Sequence, residues 1–255
     1  MNERIRLVVS DLDGTLLNEK GELPEGIFDE IGRLKAKGIA FCAASGRQYD
    51  NMLRLFYGVW QDIYFICENG CLVKKDGETL FASRIEKAEA EELIRDIREA
   101  GMQVLMSLPE CTVMFADADR AFTDDIYYRL RNTAAIAEDP FLFAGDYIKI
   151  SGFYDGDIRP LALPLQRKWQ GRIHADVAGR SWLDFTPVNK GDALEILCRE
   201  TGIDPAAVMA FGDQFNDLAM LRLSGHPFLS PRAPEDVRRC GIPAVEDVFD
   251  KIRRL

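Results

Sequence analysis

The sequence predicts an α/β fold with a parallel-sheet core, interrupted by an inserted α+β domain. Three observations carry this. Strand-like and helical stretches alternate over residues 1–81, the pattern of a parallel sheet with covering helices. The alternation is lost over residues 82–185 and returns after Thr186. Polar clusters follow the strand-like runs, at the carboxyl edge where open α/β sheets bind ligands.

The elements follow in order. Ile5–Ser10 is apolar and β-branched, which reads as a buried strand. Pro24 opens a helical pattern with Ile27, Phe28, Ile31 and Leu34 on one face, and Gly38 caps it. Ile39–Ala44 is a second strand, ending at Ser45-Gly46-Arg47, and Ile63–Cys67 a third, ending at Glu68-Asn69-Gly70. Val73–Phe81 holds Asp76-Gly77, a hairpin signal. The middle reads as a helix over Ile85–Ala100, with short strands at Gln103–Ser107, Thr112–Ala116, Tyr147–Phe153, Arg172–Val177 and Ser181–Phe185. Helices are expected around Asp119–Arg131 and Ile158–Gln170. Lys190 then starts a helix ending before Gly202, Val208–Phe211 is a strand, and a helix begins near Asp217. Phe228-Leu229 is read as a short strand and Val248–Arg254 as the last helix. The predicted domains are therefore a discontinuous core, residues 1–81 and 186–255, and an insert, residues 82–185.

Composition narrows the function classes. The chain has 255 residues, 47% of them hydrophobic and 29% charged, so a packed core is expected. Its net charge of −10 argues against a general nucleic-acid binder, although one basic pocket stays allowed. No apolar run approaches the roughly 20 residues that cross a bilayer, and the first residues lack a secretory apolar region. A cytoplasmic protein without nucleic-acid or membrane partners is expected, acting as a monomer or weak homo-oligomer. The six cysteines read as reduced, buried apolar residues. Cys67 and Cys71 lack a second Cys/His pair for zinc. His174 is read as a strand residue of the insert and His226 as a loop residue. Trp60, Trp169 and Trp182 are read as packing residues. No dinucleotide-binding glycine motif or P-loop is present.

Three strand-end loops hold residues that one reaction would use together. Asp11-Leu12-Asp13-Gly14-Thr15-Leu16 follows the first strand. One carboxylate there can attack phosphorus, and a second can protonate the leaving group and later deprotonate water. Two anions this close need a cation, and carboxylate oxygens suit Mg²⁺. Ser45-Gly46-Arg47 offers a hydroxyl and backbone amides to phosphate oxygens, or simply an N-cap. Gly212-Asp213-Gln214-Phe215-Asn216-Asp217 offers more acidic metal ligands and an amide donor, and also reads as a helix cap. Lys190 supplies positive charge, or is a solvated surface lysine.

The order Asp-x-Asp-Gly-Thr-Leu, Ser-Gly-Arg, Lys190, Gly-Asp-x-x-Asn-Asp resembles the haloacid dehalogenase superfamily of phosphatases. The insert between the second and third motifs resembles the type IIB cap of the Cof-like subfamily. That resemblance implies a Rossmann-like core and a cap that selects substrate. It implies Asp11 as nucleophile and Mg²⁺ ligand, and Asp13 as general acid/base and backbone-carbonyl metal ligand. Ser45, Gly46, Lys190 and Asn216 would bind the phosphoryl group, Asp213 would ligate the metal, and Asp217 would orient Lys190 or the metal's water. Arg47 would either reach the substrate or form a salt bridge. Asp13 favours phosphate esters over halides, because a halide leaving group needs no proton.

One segment departs from the family pattern: Phe228-Leu229-Ser230-Pro231-Arg232-Ala233-Pro234 lacks the usual asparagine. The expected activity is Mg²⁺-dependent hydrolysis of a small phosphorylated metabolite, a sugar phosphate above others. A phosphomutase using the same aspartates, or a non-catalytic binder on the same fold, are the alternatives.

Overall fold

The computed structural model of the chain describes residues 4–255. It divides into two compact units. The first holds the described residues up to Arg47, Met52–Phe81 and Asn189–Leu255, and the second holds Gln48–Asn51 and Ala82–Val188.

Along the chain, β1 (Leu7–Asp11), α1 (Ile27–Ala36), β2 (Ala40–Ala44), α2 (Tyr49–Leu55), β3 (Tyr64–Cys67), β4 (Leu72–Lys75) and β5 (Glu78–Ala82) come first. Then follow α3 (Lys87–Glu99), β6 (Gln103–Ser107), β7 (Thr112–Phe115), α4 (Arg120–Asp124), β8 (Ala134–Ala137), β9 (Lys149–Phe153), α5 (Arg159–Trp169), β10 (His174–Ala178) and β11 (Trp182–Thr186). The last stretch holds α6 (Lys190–Thr201), β12 (Val208–Gly212), α7 (Leu218–Leu223), β13 (His226–Leu229), α8 (Glu235–Arg238) and α9 (Val248–Arg253).

The first unit is built on a sheet of order β13-β12-β1-β2-β3-β4-β5. The strands from β13 to β3 are parallel, and β4 returns antiparallel. Every residue of β1 and β12 is buried, as helices on both faces of a parallel sheet require. The β4–β5 turn uses Asp76 and Gly77, both with positive φ, the backbone of a tight hairpin. The chain builds outward from β1 through β2 and β3, then returns to place β12 and β13 on the other side of β1. The order therefore reverses between β1 and β12, the crevice where such sheets bind ligands. Helix α6 begins with a capping box, Asn189 accepting from Gly191 and Asp192 while Asp192 accepts from Asn189, and it ends at left-handed Gly202.

The second unit has a six-stranded sheet, β10-β11-β9-β6-β7-β8, antiparallel except for the β7–β8 pair. One face buries Val104, Ile150 and Phe185 against Leu93 and Ile97 of α3 and Trp169 of α5. The Trp169 indole also donates to Asp96 at 2.8 Å. Trp182 lies on the opposite face of this sheet, and Trp60 is half-buried.

Four readings of the sequence change. Strand β8 was not anticipated, because Ala134-Ala135-Ile136-Ala137 is short and has no polar alternation; it forms the edge beside β7. His226 is not a loop residue but opens β13, pairing in register with Met209. The expected helix Asp119–Arg131 is α4 followed by a wider turn, in which Leu130 N–H bonds to the Asp125 carbonyl. Cys42, Cys67, Cys71 and Cys198 are buried as expected, whereas Cys111 and Cys240 are half-buried. Among the described residues, no helix is long and apolar enough to cross a membrane.

Candidate active site

Strand β1 ends in Asp11 and strand β12 in Gly212, with Asp213 the next residue, on the two sides of the sheet's reversal point. Lys190, the first residue of α6, reaches the same place. Its Nζ donates to Asp11 Oδ1 at 2.7 Å and to Asp217 Oδ1 at 2.6 Å. Asp217 Oδ2 accepts from the backbone N–H of Asp213 at 2.9 Å and of Gln214 at 3.0 Å. It thus both folds its own loop and fixes Lys190, while the helix that follows, α7, begins after Asp217 without a side-chain cap bond. Two glycines make room. Gly14 has φ +83, and a Cβ there would strike the Asp213 carboxylate; a Cβ on Gly212 would strike the Asp217 side chain.

All four charged groups are buried: Lys190 is 1% exposed, Asp217 1%, Asp213 3% and Asp11 5%. The reading of Lys190 as a solvated surface lysine is therefore overturned. Burial works to lower the Lys190 ammonium, but Asp11 and Asp217 outweigh it and hold it above its ordinary value, so Lys190 is a cation. Burial pushes the Asp11 carboxyl well up; Lys190 opposes the shift, while Asp217 and Asp213 add to it. Burial likewise raises Asp213, against the pull of hydrogen bonds from Thr15 and Gln214.

These directions share one cause, since three buried carboxylates face a single ammonium. The carboxylate oxygens of Asp11, Asp213 and Asp217 lie within 4.8 Å of one another, and Asp11 Oδ2 is buried without a hydrogen-bond partner. The donors are all hard oxygens and the missing charge is positive, so the residues fit a divalent cation such as Mg²⁺. A bound cation would draw the raised carboxyls back toward ionisation.

Asp13, two residues along the same loop, has a different environment. Its side chain is 56% exposed, and Arg47 grips it as a fork, Nε to Oδ2 at 2.7 Å and Nη2 to Oδ1 at 2.5 Å. Of the two readings of Arg47, the structure contains the salt bridge. Ser45 is buried, and its Oγ accepts from the Arg47 N–H at 3.2 Å. Gly46 lies against the Asn69 amide, where a Cβ would come within 2.9 Å of Oδ1. The Asn216 amide donates to the same Asn69 Oδ1 at 3.2 Å.

Several supporting residues escaped the sequence reading. Thr15 Oγ1 donates to Asp213 Oδ1 at 2.9 Å and Gln214 Nε2 to Oδ2 at 3.0 Å, so both oxygens of Asp213 are oriented. Asn69 joins the second and fourth motifs from a left-handed backbone, φ +58. The departing segment is built into the first motif instead. Ser230 Oγ donates to the Gly14 carbonyl at 2.8 Å, and Arg232 donates to the carbonyls of Thr15, at 2.9 Å, and Leu17. Only Thr15 and Gln214, inside the quoted motifs, carried a local signal.

Over residues 8–238 the sequence matches the haloacid dehalogenase-like hydrolases. The chain belongs to that family. A 5-amino-6-(5-phospho-D-ribitylamino)uracil phosphatase from Escherichia coli strain K12 is 28% identical over 273 residues, 98% of this chain and 96% of that protein. The HMP-PP phosphatase of Escherichia coli O157:H7 is 27% identical over 251 residues, 91% of this chain and 86% of that protein. A solved subclass IIB sugar phosphatase of the same family has this fold at a TM-score of 0.81, with 19% identity, over 96% of this chain and 95% of its own. The α/β core with a second mixed unit is thus the family's fold, and these relationships support a phosphoric monoester hydrolase.

Proposed function

We propose that this protein is a Mg²⁺-dependent phosphatase that hydrolyses a small phosphorylated metabolite of the sugar-phosphate class through an aspartyl-phosphate on Asp11. The observation carrying this reading is the buried cluster at the ends of β1 and β12. There Lys190 and three carboxylates converge, and Asp11 Oδ2 has no partner. The ribityl phosphate and sugar phosphate named for two of the similar proteins support the substrate class.

The chemistry divides among the chain's own residues. A carboxylate oxygen of Asp11 attacks phosphorus, forming the acyl-phosphate bond as the P–O bond to the alcohol breaks. The alkoxide that leaves takes a proton from the Asp13 carboxyl, which stays open to solvent on the same loop. A water then gives its proton to Asp13 and attacks the aspartyl-phosphate, releasing inorganic phosphate and restoring Asp11. For this Asp13 must part from Arg47, so the fork orients the resting acid/base.

Lys190, held by Asp217, lies beside the charge that develops on the phosphoryl oxygens. Ser45, the Gly46 amide and Asn216 bind the remaining oxygens. Asp11, the Asp13 carbonyl and Asp213 would hold Mg²⁺, with Asp217 behind them. When bound, the metal supplies charge neutralisation on the transferring group. The second unit selects the organic part of the ester.

The deciding measurement is release of p-nitrophenol from p-nitrophenyl phosphate with and without Mg²⁺, for the parent chain and Asp11→Asn. The expected result is Mg²⁺-dependent turnover that falls by about a thousandfold or more in the variant. Turnover that survives Asp11→Asn would remove Asp11 as nucleophile. No turnover by the parent chain with Mg²⁺ would sink the phosphatase reading.

A further inference from the structure

The backbone of the first motif turns on a single peptide. Asp13, at φ −77 and ψ 118, and Gly14, at φ +83 and ψ −8, are the central pair of a type II turn over Leu12–Thr15. Such a turn needs positive φ at its third residue, and Gly14 supplies it. The type I alternative would turn the Asp13–Gly14 peptide over. The turn type therefore sets where the Asp13 carbonyl faces, and that carbonyl is a proposed metal ligand. The Leu17 N–H closes the loop on the Leu12 carbonyl at 2.8 Å.

The segment that departs from the family pattern grips this loop from outside. Ser230 is fully buried. Its N–H donates to the carbonyl of Gly212, at the end of β12, at 2.9 Å, and its Oγ donates to the Gly14 carbonyl at 2.8 Å. One residue thus ties the loop that carries Asp13 to the strand that leads into Asp213. The same Oγ accepts from the Arg232 N–H at 3.2 Å, and the Arg232 guanidinium donates to the carbonyls of Thr15, at 2.9 Å, and Leu17. Arg238 braces the segment in turn, its Nε donating to the Ala233 carbonyl at 2.7 Å and its Nη2 to the Pro231 carbonyl. Within the turn, Thr15 Oγ1 donates to Asp213, and Gly14 lies so near the Asp213 carboxylate that a Cβ would strike it. A shift of the turn is therefore a shift at Asp213 as well.

We propose that Ser230, aided by Arg232, is a positioning residue for the divalent-metal site. It holds the Asp13–Gly14 peptide, and the spacing between the first and fourth motifs, in the arrangement that binds the cation. The inference rests on the proposed metal ligands and extends them to a residue that touches neither metal nor substrate. Groups standing behind metal ligands typically change metal affinity by about 10–100-fold when they are removed. A tie that only stabilised the fold could bond any free carbonyl. Here the side-chain donors of Ser230 and Arg232 all go to the first-motif loop, and the Ser230 N–H goes to the end of β12.

The test is a calorimetric titration of Mg²⁺ into the full chain without substrate, for the parent, Ser230→Ala and Arg232→Met. The Mg²⁺ dissociation constant is expected to rise by about tenfold or more in Ser230→Ala. Arg232→Met should move it in the same direction, and because Arg232 is exposed this variant carries the test if Ser230→Ala does not fold. Urea unfolding in EDTA and in saturating Mg²⁺ separates the metal from the fold. Each variant should lose more stability with Mg²⁺ than with EDTA. Equal losses in the two conditions, with an unchanged dissociation constant, would make the segment a structural tie and overturn the proposal. A parent that binds no Mg²⁺ would also overturn it. Turnover of p-nitrophenyl phosphate is followed in parallel. A parent that binds Mg²⁺ but hydrolyses nothing removes the phosphatase reading and leaves the positioning role to the titration. A parent with Mg²⁺-dependent turnover, and variants that bind Mg²⁺ as tightly as it does, removes the positioning role alone.

Discussion

The two sheets bury charge in different places. In the first unit, the parallel strands β1, β2, β3 and β12 carry no charged residue before their last position, and buried charge gathers at the β1 and β12 ends as Asp11, Lys190, Asp213 and Asp217, with buried Lys74 of the antiparallel strand β4 as the exception within the sheet. In the second unit, Lys149 and Asp184 lie within β9 and β11. The cause is what covers each sheet. A parallel sheet packed on both faces leaves its carboxyl edge as the place for polar groups. The second sheet has helices α3 and α5 on one face, and polar side chains occupy part of the other. Chemistry at a strand edge can rest on a few contiguous residues, whereas a polar face is spread over several strands.

Removing one buried lysine from each unit, Lys190 and Lys149, probes this contrast most strongly. Lys190→Met leaves Asp11 and Asp217 facing each other without their shared cation, and should destabilise the chain by about 3–5 kcal/mol. Lys149→Met removes a looser partner from one carboxylate, which keeps its hydrogen bond from Ser151. It should cost about 1–2 kcal/mol, a single charged hydrogen-bond's worth. Urea unfolding of both variants at neutral pH measures the pair. Equal costs would mean that the two sheets hold their charge alike.

Metal sharpens the comparison next. Three carboxylates against one ammonium give the first unit a deficit of positive charge, while Lys149 and Asp184 balance one another. Saturating Mg²⁺ should stabilise the parent chain, by about 2.7 kcal/mol at a hundred times the dissociation constant. The Tm shift should vanish in Asp213→Asn and persist in Asp184→Asn. A shift that survives in Asp213→Asn would place the bound metal elsewhere.

What the sequence made legible follows the same division. Asp11, Asp213 and Asp217 stand in short motifs directly after apolar runs, so their shared edge could be read from alternation, whereas Lys190 opens a helix and is placed with them only by the family resemblance. Ser230 and Arg232 support the first motif across more than two hundred residues, and only the fold brings them to Gly14 and Thr15. In the second sheet, the buried Ser107, Lys149, Ser151 and Asp184 come from three strands whose register has no signature in any one of them. Strand β8 escaped because four small or apolar residues at a sheet edge show neither alternation nor helical spacing. His226 looked like a loop because Pro227 follows it, yet β13 is an outermost strand of its sheet, where a missing N–H is tolerated.

The smallest predicted effect tests the second sheet's tolerance for charge. Asp176 on β10 stands directly opposite Asp184. The residue is exposed, and the partial desolvation its carboxyl feels raises it above the ordinary 3.8; His174 opposes the shift and Asp184 adds to it. A carboxyl raised by folding is bound more tightly to its proton in the native state. Its contribution is most favourable below the unfolded value and is lost as pH rises through the folded one. At pH 7 the ionised Asp176 is therefore a cost, and Asp176→Asn should stabilise the chain, by under about 1 kcal/mol because the site is partly open to solvent. Unfolding in urea at pH 7 and again near pH 3.5 separates the outcomes. The gain should shrink on acidification, because the parent's own carboxyl is then protonated. A variant less stable than the parent at pH 7 would show that β10 gains from this charge.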